Sequence, residues 1–398
     1  MTQSSSSEKV LSNGLREQLS FLDGLRGLAA LYVAVHHSRW LLWEGYSLGC
    51  IKHPDFYTPF VKVISLSLSV FKYGHEAVLF FFVLSGFVIH LRYSRILQAK
   101  GKESSFDLPS YLWRRARRIY PPLLAALCLT YLLDSLGERL DLSIYRGQTP
   151  YAGINDNVGS IHGWKAGLGN LALLMKTYGP VWGTNGPLWS LKFEWWFYMM
   201  YPALWFITRR SIGIATVLVA VFFVMAYQFE KWPIKLLHDI STMLIIWWLG
   251  ALLADVFVGR LRISLLSIAP LSLGTVVLPF LNLPKAVYEL GWGLGFCGIL
   301  AGCLWLTQRN VALSLLGILK PLGEMSYSLY VLHFPILVLM SGILMKSNPK
   351  GELPFHFGWV PLGTIVSLGV AYGAHFIVER PFLSGPKKAV PTPEASGG

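Results

Sequence analysis

The chain has 398 residues, of which 54% are hydrophobic, 14% aromatic and only 14% charged, and its formal net charge is +13. Soluble domains carry about 25% charged residues, so this composition excludes an ordinary water-soluble protein, and its apolar content excludes intrinsic disorder. The basic excess lies between hydrophobic runs rather than on a patch with exposed aromatics, which argues against nucleic-acid binding and for membrane orientation. Cys50, Cys128, Cys297 and Cys303 have neither CxxC nor zinc-ligand spacing, so no metal site is expected.

Residues 1–20 are polar and lack the apolar core and small-residue cleavage site of a signal peptide, so they are expected to form a cytoplasmic tail. Apolar stretches near the roughly 20 residues that cross a bilayer as a helix follow at approximately 22–43, 76–97, 119–136, 186–208, 211–227, 237–258, 263–283, 287–307, 323–346 and 358–379. The fold class expected is therefore all-α, a polytopic transmembrane bundle of about ten spans. With the N-terminus inside, the inner segments hold about 20 of the 34 Lys and Arg, including the run from Arg114 to Arg118, which places both termini in the cytoplasm. Two long loops, about 44–75 and 137–185, then face outward. Connections of that length are uncommon unless functional or disordered, and these two are read as a cradle for an acceptor. The stretch 166–180 is at most amphipathic and belongs to the second loop. Residues 383–398 read as a disordered cytoplasmic tail. No internal repeat is visible, which counts mildly against a transporter built from inverted repeats.

Ionisable residues inside a membrane helix are costly and usually face a protein interior or a polar cavity. In the first span, FLDGLRGLAALYVAVHHSRW, Arg26 and His37 are eleven residues apart, hence within about 20° in azimuth and about 16 Å along the axis. His36 falls about 80° away from Arg26. His37 therefore suits a general base acting with Arg26, or it is an outer-end histidine satisfied by a neighbour. His75 and Glu76 open the second span, where they cap the helix or bind acceptor, and Ser85-Gly86 offers a small-residue packing face. Arg115 and Arg118 share a helix face and fit either anionic lipid headgroups or the phosphates of a soluble donor.

In the fourth span Glu194 lies within the apolar part, with Lys192 on a different face. A buried carboxylate needs a partner from another helix, and His37 is the natural candidate. The ninth span carries His333, a third intramembrane histidine, followed by Pro335. Gly291, Gly295, Gly298 and Gly302 make a smooth packing stripe on the eighth. P-loop, dinucleotide, HExxH and GxSxG signatures are absent, so an enzyme here works with intramembrane His, Glu and Arg. The alternative is a proton-coupled transporter or flippase in which Arg26, His37 and Glu194 form a relay.

The blocks FLDGLRGLAALYVAVHH, FFFVLSGFVI, RRARRIYP, PLWSLKFEWWFYMMYP, SYSLYVLHFPI and VERPF, in that order across residues 21–382, resemble the membrane-bound acyltransferase family 3. The resemblance implies one integral membrane domain over residues 21–382 in a bacterial cytoplasmic (inner) membrane. It also implies transfer of an acyl group, commonly acetyl, from cytoplasmic acyl-CoA to a carbohydrate or glycolipid acceptor. The family's first-helix motif matches Arg26 and His37, and its Arg-x-x-Arg motif matches Arg115 and Arg118, which implies a role with the acyl-CoA donor. Two further blocks match Trp189, Ser190, Leu191, Glu194, Phe197 and Tyr198, and Tyr330, His333 and Pro335; of these, Trp189, Ser190 and His333, with His75 and Glu76, are expected toward substrate. Leu79 stands where many members have an acidic residue, with Glu76 one turn earlier. Some relatives carry a C-terminal esterase-like domain; here acceptor recognition is expected from the membrane domain or another protein.

Overall fold

The structure, a computed structural model, describes residues 19–383 apart from 160, 230, 231, 310 and 312. Residues 1–18 and 384–398, which hold nearly all of the two expected tails, lie outside the described residues.

A chain with this much apolar surface and no water around it must satisfy its backbone internally, which a helix does within one segment. The described residues accordingly form helices and turns, with a single isolated bridge between Met175 and Gly179 and no strand. The principal helices are α1 (Phe21–Leu42), α2 (Gly74–Lys100), α3 (Leu108–Arg139), α4 (Trp189–Thr208), α5 (Ile212–Gln228), α6 (Lys235–Val258), α7 (Lys285–Gln308), α8 (Ser326–Ser347) and α9 (Trp359–Ala374). Helix α9 continues through a π-helical turn, His375–Glu379, into Arg380–Leu383.

Six helices, α2, α3, α6, α7, α8 and α9 with its extension, are long and apolar enough to cross a membrane, and α5 is a shorter apolar helix. The protein is a multi-pass membrane protein. Helices α1 and α4 fall outside that set: α1 carries Asp23, Arg26, His36, His37 and Arg39, and α4 carries Lys192 and Glu194 among many aromatic residues. Helix α5 exposes Ile214, Val217, Val221 and Val224 at helical spacing and buries Ala215, Val219 and Phe223 on its other side. Such an apolar outer stripe is unfavourable in water and suits contact with lipid.

The seventh expected span is a shorter apolar helix, Leu265–Phe280, and it is irregular. Residues 265–280 form a relay of α and 3₁₀ turns, Leu265–Ile268, Ala269–Leu273, Gly274–Val277 and Leu278–Phe280. Pro270 and Pro279 remove two backbone donors and Gly274 lowers helix propensity. The glycine stripe of α7 accommodates this relay. A Cβ on Gly298 would stand 2.3 Å from the Ser272 nitrogen, and one on Gly295 2.6 Å from Thr275 Cγ2.

Helices α2 and α6 cross at the centre through a reciprocal glycine contact. A Cβ on Gly86 would meet the Trp247 carbonyl at 1.9 Å, and one on Gly250 would meet the Val83 carbonyl at 1.9 Å. Beside Gly86, Ser85 Oγ accepts from Trp247 Nε1 at 3.3 Å. Further along the same pair, buried Asp255 faces His90 Nε2 (2.9 Å) and accepts from Ser94 Oγ (2.5 Å) and Arg260 Nη1 (2.6 Å).

The long connections are tied down by specific polar contacts. Buried Asp134 of α3 accepts from the Thr184 amide at 2.8 Å and its hydroxyl at 2.7 Å. Lys52 joins Glu44 (3.2 Å) to Glu352 (2.9 Å), and its ammonium holds the Glu352 carboxyl below the ordinary carboxylate value.

Gly86→Leu and Gly250→Leu are each expected to abolish a monodisperse peak in detergent size-exclusion chromatography. Gly373→Ala, where a Cβ meets nothing within 4 Å, is expected to leave it unchanged.

Candidate active site

Helix α3 begins where the Asp107 carboxylate accepts the Ser110 amide at 3.2 Å, with Pro109 in the first turn. From there it runs unbroken through the arginines and the third apolar stretch. The basic segment is thus the first part of a spanning helix rather than a separate loop. Arg115 and Arg118 consequently line a cavity of about 80 Å³ inside the bundle, together with Arg26 of α1, Ser190 and Glu194 of α4, and Tyr327 and Tyr330 of α8. A wider cavity of about 530 Å³ shares Arg26 and Arg118 and is lined by Glu324, Tyr372, His375, Glu379 and Arg380. The two arginines stand where the wide space meets the narrow one.

The charges there are balanced across helices. Arg118 shares its surroundings with the carboxylates of Glu194 and Glu379 and the phenols of Tyr198 and Tyr327. Arg26 donates to Asp23 at 3.3 Å and to Ser326 Oγ at 3.4 Å. Glu194 accepts from the Tyr198 hydroxyl one turn along α4. Arg115 is held by ring faces, 5.5 Å from Tyr111 and 5.2 Å from Tyr198. Its Nε and the Tyr327 hydroxyl are buried without a hydrogen-bond partner among the described residues. Two polar groups lining one cavity with spare hydrogen-bonding capacity fit a polar ligand.

Two prolines cross-link the site. A proline has no N–H, so it leaves the carbonyl four residues back without its helical partner. Pro202 frees the Tyr198 carbonyl, and the Tyr111 hydroxyl donates to it at 3.1 Å. Pro335 frees the Val331 carbonyl, and Asn185 Nδ2 donates to it at 2.9 Å. Thus α3 is bonded to α4, and the segment entering α4 is bonded to α8, through positions that proline opens. At that entry Tyr330 OH and Ser190 Oγ lie 2.7 Å apart, and both reach the Pro187 carbonyl.

The histidines form a second group beyond Tyr330. His37 Nδ1 is 2.9 Å from His333 Nε2, and the His333 and Tyr330 ring centroids are 6.1 Å apart. The pairing expected between His37 and Glu194 is not formed: Glu194 turns to Tyr198 and faces Arg118 and Arg26, and His37 finds its partner on α8. His36 bonds the Phe71 carbonyl at 2.9 Å, a packing role. His75 stacks on Trp189, with centroids 5.4 Å apart, and reaches Glu289 at 2.8 Å. Glu76 is half-buried beside Tyr288, and Leu79 is fully buried. Lys192 leaves the cavity to pair with Asp239 at 3.0 Å.

The structure therefore brings Arg26, Arg115, Arg118, Glu194 and Ser190 to one cavity and His37 to His333, and it sets His75, Glu76 and Trp189 apart from both. Sequence reasoning missed Glu379, which accepts from Ser328 Oγ at 2.7 Å and lies 3.3 Å from His375 Nδ1. Its signal was the charged pair in VERPF, which no helical face assigns to a partner. Tyr111 and Asn185 were also missed; the prolines they serve were visible, but their own reach was not. Among the described residues no group of three or more His, Cys, Asp or Glu could hold a metal ion.

A family model described as an acyltransferase domain matches residues 19–376. The chain belongs to the acyltransferase 3 family. This family member is also similar to the O-acetyltransferase PaAT-1 of Phomopsis amygdali, 36% identical over 106 residues, which are 26% of this chain and 20% of that protein. The chain thus matches about a fifth of the length of that curated relative. No solved structure matches.

Tyr111→Phe leaves the buried Tyr198 carbonyl unpartnered, which costs about 1–3 kcal/mol, and loosens one of the two rings beneath Arg115. The expected result is a lower melting temperature in a detergent thermal-shift assay.

Proposed function

We propose that the protein transfers an acyl group, acetyl by default, from cytoplasmic acyl-CoA to a hydroxyl of a carbohydrate-containing acceptor presented at the opposite face of the membrane. The observation that carries this reading is the convergence of Arg26, Arg115, Arg118 and Glu194, from three separate helices, on one narrow cavity that meets a wider one. Guanidinium groups recognise phosphate by charge-assisted, often bidentate hydrogen bonds. The wide cavity suits the nucleotide end of the donor and the narrow one its thin thioester arm. The name of the O-acetyltransferase relative supports acetyl and an oxygen acceptor.

In this reading His37 is the general base. It takes the proton of the acceptor hydroxyl as that oxygen bonds to the thioester carbonyl carbon. Collapse of the tetrahedral intermediate breaks the C–S bond, and the proton leaves with the CoA thiolate. An ester and a free thiol result. Glu194 belongs to the donor end, where it offsets the charge of Arg118, rather than to His37. Direct transfer requires no serine nucleophile, and the Ser190 hydroxyl is already engaged with Tyr330 and the Pro187 carbonyl. By the distribution of Lys and Arg, both termini face the cytoplasm, which puts the α3 arginines on the donor side.

The test is purified protein in proteoliposomes with acetyl-CoA and candidate glycans, following free thiol and the acyl mass increment on the glycan. His37→Ala is expected to lower transfer by about 10²-fold or more while chromatographic behaviour is retained. The double change Arg115→Gln and Arg118→Gln is expected to raise the KM for acyl-CoA by about tenfold or more, the scale of losing a charge-assisted hydrogen bond. Glycan translocation without thiol release would overturn the reading in favour of transport.

A further inference from the structure

We infer that His333 is a positioning residue that fixes the tautomer of His37, so that a neutral histidine fills the place a carboxylate holds in a Ser-His-Asp arrangement. The inference rests on His37 being the base and adds the means by which that base is held ready.

The hydrogen positions follow from one carbonyl. His333 Nδ1 lies 2.9 Å from the Leu329 carbonyl oxygen. A carbonyl only accepts, so the hydrogen belongs to His333 Nδ1. His333 is wholly buried, and the rings around it are those of Tyr330, Phe334 and His37. Among the described residues no carboxylate contacts it, so the ring is neutral, and a neutral imidazole protonated at Nδ1 presents a lone pair at Nε2. That Nε2 lies 2.9 Å from His37 Nδ1. The hydrogen between the rings therefore sits on His37 Nδ1, and His37 carries its own lone pair at Nε2, the atom a general base needs. The chain runs in one direction: His37 Nδ1–H to His333 Nε2, then His333 Nδ1–H to Leu329 O.

The sequence explains the last link. Leu329 is four residues before His333, and on a helix a side chain leans back toward the preceding turn. The His333 ring therefore falls over the carbonyl of Leu329. Phe334 closes edge-on against His37, with centroids 4.9 Å apart, and restricts the ring from another side.

A carboxylate in this place would add a permanent charge to the apolar interior, where an ion costs several kcal/mol. A neutral histidine orients the base without one. When His37 gains a proton at Nε2, its Nδ1–H becomes a stronger donor and the existing bond to His333 strengthens. When the proton leaves with the thiolate, both rings return to the starting tautomers.

The test uses the full chain in detergent or nanodiscs. In protein labelled with ¹⁵N at the histidine rings, the His37 signals are assigned by their loss in His37→Gln. The expected spectrum is His37 protonated at Nδ1 and bare at Nε2. In His333→Gln, whose Oε1 can still accept from His37 and whose amide can still donate, kcat is expected within about fivefold of wild type. In His333→Leu, which removes the acceptor, kcat is expected to fall by about 10²-fold or more, the scale of a general base's contribution, with the KM for acyl-CoA unchanged. A wild-type spectrum with His37 bare at Nδ1, or a His333→Leu enzyme within about threefold of wild-type kcat, would overturn the inference. The spectrum decides even if His333→Leu fails to fold. An active His37→Ala would instead remove the base reading itself, so the two failures are told apart.

Discussion

Burying guanidinium groups inside an apolar bundle is the constraint around which this structure is organised. Each ion taken from water costs several kcal/mol after relaxation, and Arg26, Arg115 and Arg118 all reach into the interior. The charge is offset by carboxylates from other elements, Glu194 on α4 and Glu379 on the π turn after α9, and by the ring faces of Tyr111 and Tyr198. Because the carboxylates that face Arg118 come from α4 and from the turn after α9, those elements have to meet α3. A cavity lined by cations is what that meeting leaves.

The same economy governs the neutral polar groups. Prolines inside α4 and α8 break the helical bonding, yet each freed carbonyl is taken by a side chain from a different element. A buried carbonyl without a donor costs about as much as a lost hydrogen bond. These contacts therefore convert a local defect into a tie between segments. The aromatic residues join in: Tyr111 serves a carbonyl with its hydroxyl and Arg115 with its ring. Asp255 and His90 do comparable work where α2 meets α6, and His90 Nδ1 lies 2.9 Å from the Tyr201 hydroxyl.

Helical periodicity made much of this legible from sequence. It placed Arg26 with His37 rather than His36, paired Arg115 with Arg118 on one face, separated Lys192 from Glu194, and identified the glycine stripe of α7. Those statements concern which side of one helix a residue occupies, and 3.6 residues per turn settles them. Partners across helices were not legible, because a period names a face and not the neighbour opposite it. Glu194 was paired with His37 for want of any other visible candidate, whereas both found partners nearer at hand. The irregularity of the seventh span was hidden for another reason: hydropathy counts apolar side chains and is blind to the backbone donors that Pro270 and Pro279 remove. Glu379 stayed hidden because its placement depends on a π turn, which sequence does not announce.

Helix α3 has 32 residues, about 48 Å at 1.5 Å per residue, against a hydrocarbon thickness of about 30 Å. It is longer than the bilayer is thick, and the cavity arginines lie on its N-terminal side, just before Pro121 and Pro122. Inserting or deleting one residue between Arg118 and the stretch packed against α8 would turn the arginines by about 100° and swing them away from Glu194. The register of this helix, and not only its composition, is therefore part of the site.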